Sequence, residues 1–129
     1  MHQELAAGLA AAVARRDPQW IADRLTAAVR LRALLPGGVV EAHGPVDVAA
    51  CLCSVVADFD AIEVVESAAE DVADRLLVHY RLHLARATAR WVCTQTAVCT
   101  TVDGRLSVID LLCSGFRRIP AWTAPPRRG

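Results

Sequence analysis

Asp110 lies in "SVIDLLCSGFRR" (residues 107–118), a carboxylate between Ile109 and Leu111 in a run that otherwise reads as a buried strand. In a largely apolar cavity desolvation disfavours the charged form of a carboxyl and raises its pKa toward the range useful for proton transfer near neutral pH. Such a group can take a proton from the carbon alpha to a carbonyl if a neighbour donates a hydrogen bond to the developing enolate oxygen. Tyr80 and Gln95 are the candidates for that donor, so Asp110, Tyr80 and Gln95 form the candidate catalytic set. Each residue also has a plainer reading. An aspartate on a terminal strand can pair with an arginine or face water, a tyrosine among leucines can be core with its hydroxyl at the rim, and Gln95 can simply satisfy a neighbour.

What would bring these three together is strand register. Asp103-Gly104 between two apolar segments predicts a two-residue type I′ hairpin turn. Val102 then pairs with Arg105, and an unbroken count pairs Ala97 with Asp110, Gln95 with Leu112, Cys93 with Ser114 and Trp91 with Phe116. Paired residues share a face. One face therefore collects Trp91, Cys93, Gln95, Asp110, Leu112, Ser114 and Phe116, and the other collects Thr94, Thr96, Val98, Ile109, Leu111 and Cys113. The preceding "RLLVHYRLHLARA" alternates cleanly, with Leu76, Val78, Tyr80, Leu82 and Leu84 on one side and His79, Arg81 and His83 on the other. Matching apolar with apolar sets Tyr80 beside Gln95, with Asp110 one strand further. At about 4.8 Å per strand the three polar groups fall within about 10 Å. Trp20, Trp91, Cys93, Leu112, Ser114 and Phe116 are the candidate lining of the resulting apolar cup.

Helices and further strands must hold this face. Alanine and leucine recur at a helical period from Gln3 to Arg16. Asp17-Pro18 ends that helix and opens a second, with Asp17 as N-cap, expected to run to about Val29. "LRALLPGG" breaks it, "VVEAH" is a short strand, and a third helix spans about Val46 to Ala57. Strands are expected at about 59–68, 74–86, 90–102 and 105–116. Residues 1–118 make a single domain, and "PAWTAPPRRG" belongs to a poorly ordered tail over 119–129.

This order of elements, with "LRALLPGG", "HGPVDVAACL" and "DGRLSVIDLLCSGFR", resembles the nuclear transport factor 2-like superfamily and its SnoaL-like branch. The resemblance implies an α+β fold in which three N-terminal helices pack in the concavity of a strongly curved, mostly antiparallel sheet, a cone-shaped α+β barrel. It also implies cofactor-independent acid/base isomerisation, cyclisation or dehydration of an apolar carbonyl compound. The alternative within the same fold is a non-catalytic ligand-binding or dimerisation module, since the fold hosts both. The match to the family's isomerases is incomplete: the penultimate strand offers Ala97 and Cys99 where a second acid would stand.

Composition narrows the partners. Fourteen basic residues balance fourteen acidic ones, which gives no overall field toward nucleic acid or an anionic membrane. An apolar small molecule is the expected ligand, and a second copy of the chain, docked through the outer sheet face, the expected protein partner. A cytoplasmic location is expected, because Glu4 stands where a signal peptide would be basic and no apolar run approaches the roughly 20 residues of a membrane span. The five cysteines are accordingly expected as thiols. No cofactor or metal is expected: His79 and His83, on a strand, stand about 13 Å apart, too far to share an ion.

Overall fold

The computed structural model describes residues 2–120. The described chain runs α1 (His2–Ala14), α2 (Pro18–Ala22), β1 (Leu25–Leu35), β2 (Gly38–His43), α3 (Pro45–Ser54), β3 (Ala61–Val72), β4 (Arg75–Arg86), β5 (Ala89–Val102), β6 (Arg105–Cys113) and β7 (Arg117–Arg118). The strands form one curved sheet in the order β2-β1-β6-β5-β4-β3, with β7 paired to β5. All pairings are antiparallel except β1 with β6. This is the expected three-helix, curved-sheet α+β architecture. The expected tail lies outside the described residues from position 121 onward. Among the described residues no helix is long and apolar enough to cross a membrane.

α1 buries Ala6, Leu9, Ala10 and Val13, the i, i+3, i+4, i+7 stripe of an amphipathic helix. The Gln3 amide fastens its start to β3, accepting from the Ala69 N–H at 3.0 Å and donating to the Ala69 carbonyl. Asp17 caps α2 by accepting from the Trp20 N–H at 3.1 Å, with Pro18 at the first turn. That hydrogen bond holds the Asp17 carboxyl below its ordinary range.

The expected second helix to Val29 is corrected: α2 ends at Ala22 and the chain enters β1 at Leu25. Val29, Leu31 and Ala33 are buried while Arg30, Arg32 and Leu34 are exposed, the period-two pattern of a strand. In "RLTAAVRLRALL" the i, i+3, i+4 spacing of Leu25, Ala28 and Val29 competes with that alternation, and the pairing of β1 with β2 and β6 decides between them. Pro36-Gly37 is consequently a tight hairpin turn, with Leu35 opposite Gly38.

The Asp103-Gly104 turn has φ of 52° and 78°, both positive as a type I′ turn requires. Within the same hairpin, just past the turn, the register departs from an unbroken count. Thr101 pairs with Leu106 but Thr100 pairs with Val108. Ser107 is the extra residue of a β-bulge, and its hydroxyl donates to the Thr100 carbonyl at 3.1 Å. A one-residue insertion sends every later side chain of β6 to the opposite face.

Candidate functional site

Three strands build the inner face of the cup. β4 contributes Leu76, Val78, Tyr80, Leu82 and Leu84, and β5 contributes Trp91, Cys93, Gln95, Ala97 and Cys99. From β6 come Leu106, Ile109, Leu111 and Cys113. Tyr80 stands opposite Gln95 in the β4–β5 register. Its hydroxyl donates to Gln95 Oε1. Both residues are 1% exposed, and Gln95 Nε2 has no hydrogen-bond partner. Burial raises the pKa of the Tyr80 hydroxyl well above its ordinary value, so it stays protonated and remains a donor.

Beside this pair the sulfurs of Cys93 and Cys113 meet at 3.5 Å. The contact with Cys93 lowers the Cys113 thiol, against the burial that raises it. The Cys93 thiol is raised by the same contact.

Asp110, Leu112 and Ser114 are on the outer face, and this corrects the expectation for all three. The bulge at Ser107 pairs Asp110 with Val98 instead of Ala97. Asp110 and Ser114 are exposed and Leu112 is 57% exposed. The physical reason is the cost of a carboxylate inside. An unpaired charge in the core is far more expensive than one extra residue in a strand, and the bulge turns Ile109, Leu111 and Cys113 inward in its place. Asp110 instead borders a shallow outer groove of about 440 Å³ with Arg32, Leu34, Thr96, Val98 and Leu112. The Ser114 hydroxyl accepts from the Thr94 N–H at 2.9 Å, tying off the strand end.

Trp91 and Phe116 close one end of the cup around Phe59, with ring centroids at 5.5 Å and 4.9 Å from it. Phe116 returns to the inner side because β6 ends at Cys113. The Arg86 guanidinium lies 5.6 Å from the Phe59 ring and 5.3 Å from the Trp91 ring, shielding that end.

Trp20 stands at the opposite end. It borders a cavity of about 470 Å³ formed by Leu5 and Glu4 of α1, Asp23 and Arg24 after α2, and Thr101, Asp103, Gly104 and Arg105 of the hairpin. The Arg24 guanidinium is 4.0 Å from the centre of the Trp20 ring system. The other side of the indole lies on α1 at Gly8, where an added Cβ would fall on the ring carbons. Gly8→Ala is therefore expected to destabilise by about 1–2 kcal/mol, after the roughly 1 kcal/mol that alanine returns in helix propensity. Urea denaturation reads the loss and tryptophan fluorescence reads the displaced indole.

Sequence reasoning missed Phe59, Arg24 and the inward Cys113. The apolar pairs Val108-Ile109 and Leu111-Leu112 were the available signal, since each lets the strand run with either face inward. Among the described residues no cluster of three or more metal-binding side chains occurs.

No family model and no curated protein matches the chain. Solved structures do. A hypothetical protein with ketosteroid isomerase-like fold from Catenulispora acidiphila, in complex with trimethylamine, is similar at TM-score 0.68 and 13% identity, over 84% of this chain and 83% of that one. An NTF2-like protein from Burkholderia thailandensis is similar at TM-score 0.65 and 14% identity, over 87% and 89%. TerC, co-crystallized with polyporic acid, is similar at TM-score 0.62 and 15% identity, over 84% and 87%. The chain has the nuclear transport factor 2-like, ketosteroid isomerase-like fold.

Proposed function

We propose that the chain is a non-catalytic binding module of this fold, which takes an apolar small molecule at the Trp20 end and pairs with a second copy through its outer sheet face. The observation that carries this reading is the face occupied by Asp110. Among the described residues no carboxylate is buried, and the cup is filled by its own side chains around the Tyr80–Gln95 pair. Acid/base isomerisation, cyclisation or dehydration in the SnoaL-like manner through Asp110, Tyr80 and Gln95 would need that carboxylate on the other face of β6. The binding module therefore comes before the enzyme.

The cavity beside Trp20, at about 470 Å³, lies in the size range of small-molecule sites. Leu5 and Trp20 supply apolar wall, and the charged lining is mixed, Arg24 and Arg105 alongside Glu4, Asp23 and Asp103. Similarly folded proteins in complex with trimethylamine or co-crystallized with polyporic acid support a small organic ligand.

Anilinonaphthalene sulfonate, an aromatic body with one anionic group, is the probe for this site. Saturable binding to the native protein, weakened at least tenfold in Arg24→Ala, is the expected result. A catalytic role is tested separately by incubating the protein with an apolar β,γ-unsaturated ketone in heavy water. Deuterium uptake at the carbon alpha to the carbonyl, above the buffer rate and lost in Asp110→Asn, would reinstate the enzyme.

A further inference from the structure

Of the five cysteines in the chain, Cys93 and Cys113 alone bring their sulfurs together, at 3.5 Å. They project inward from neighbouring strands: Cys113 is the register partner of Gln95, and Cys93 is the next inward residue along β5. We propose that this pair is a redox-active dithiol, a modification site at which a small peroxide closes a disulfide between β5 and β6. The inference stands apart from the binding reading, because it uses neither the Trp20 cavity nor the outer face.

A disulfide requires the sulfurs to close by about 1.5 Å, to roughly 2.05 Å. Cys113 is the last residue of β6, so the backbone carrying it is the strand end. Cys113 is 7% exposed and Cys93 fully buried, which makes Cys113 the sulfur a small oxidant reaches first. Thiol acidity points the same way, since the contact between the two sulfurs lowers Cys113 and raises Cys93.

In the first step the Cys113 thiolate attacks a peroxide oxygen: the S–O bond forms, the O–O bond breaks, and the leaving hydroxide takes a proton to become water. The Cys93 sulfur, as its proton leaves, then attacks Cys113 Sγ: the S–S bond forms and the S–O bond breaks, releasing a second water. Two thiols are oxidised to one disulfide and one hydrogen peroxide is reduced to two waters.

Exposure alone would favour other cysteines. Cys51 and Cys53, on α3, are the more accessible, yet burial raises both thiols. Cys99 is pushed up to about 12 by burial and then by the charge of Asp110. The test treats the native, reduced protein with one equivalent of hydrogen peroxide, quenches with acid, unfolds it and counts thiols. The count is expected to fall from five to three, with the mass of two hydrogens lost, a Cys93–Cys113 link in the peptide map, and full reversal by a thiol reductant. In Cys93→Ser no link is expected, and Cys113 should be trapped as sulfenic acid by dimedone. Five thiols surviving in the wild-type protein, or lost thiols mapping to Cys51 or Cys53, would overturn the proposal; the wild-type map decides even if a serine variant folds poorly.

Discussion

Tyr80→Phe is expected to lower the unfolding free energy by about 1–3 kcal/mol, and Tyr80→Phe combined with Gln95→Met is expected to recover most of that loss. Phe keeps the ring and its packing against the inner face, so the change removes only the hydroxyl. That hydroxyl supplies the Gln95 carbonyl with its hydrogen bond. Because Gln95 Nε2 already lacks a partner, the single variant leaves a wholly unpaired amide in the core, which costs more than the bond itself contributed. Methionine at position 95 removes the stranded group at similar volume. Urea denaturation of wild type, both single variants and the double variant measures the coupling. A single variant as stable as wild type would mean that the pair stabilises nothing.

The same tyrosine makes stability fall in alkali. Burial raises its folded pKa above the ordinary value of 10.0, so the unfolded chain releases the proton first. Between those two values the folded state holds more protons, and stability is lost as pH rises, by up to about 1.4 kcal/mol per pH unit for this group. Cys99, raised to about 12 from 9.0 by burial first, acts in the same direction from lower pH. Because the chain has one tyrosine, tyrosinate absorbance reports Tyr80 alone, and it should appear together with loss of circular dichroism instead of before it. In Tyr80→Phe the alkaline slope above pH 10 should be shallower.

Leu112→Asp is expected to shift the monomer–dimer equilibrium toward monomer by about 100-fold, the loss that follows from charging the centre of an apolar contact. Leu112 at 57%, Leu34 at 45% and Val98 at 43% exposure are large apolar side chains left open to solvent. They lie on adjoining strands, Leu34 opposite Leu112 and Val98 opposite Asp110. Asp110 also registers with Arg32 of β1. A patch carrying one cation and one anion on an apolar centre is self-complementary, because a two-fold axis can set Arg32 of each copy against Asp110 of the other. Sedimentation equilibrium or light scattering across micromolar concentrations reads the shift. Val46→Asp, on the 73% exposed Val46 of α3, controls for added charge and should leave the mass unchanged. A wild-type chain that is monomeric throughout would sink the interface.

The inner face of β4 and β5 was legible in the sequence because alternation is local chemistry. Leucine, valine and Tyr80 against His79, Arg81 and His83 admit only one way of facing a core, and the same holds for Trp91, Cys93, Gln95 and Cys99 against the threonines. The type I′ turn at Asp103-Gly104 was equally local, because it depends on two residues that tolerate positive φ. What the sequence left open, the tertiary structure decided at two points. In "RLTAAVRLRALL" the pattern satisfied a helix and a strand, and the partner strands β2 and β6 made it β1. In "LSVIDLLC" each face offered apolar residues, so local hydrophobicity could not choose between two registers one residue apart. The choice fell to the free energy of the whole inner layer, where a bulge at Ser107 is cheaper than a buried, unpaired Asp110, and that bulge turned Asp110 and Leu112 outward and Cys113 toward Cys93.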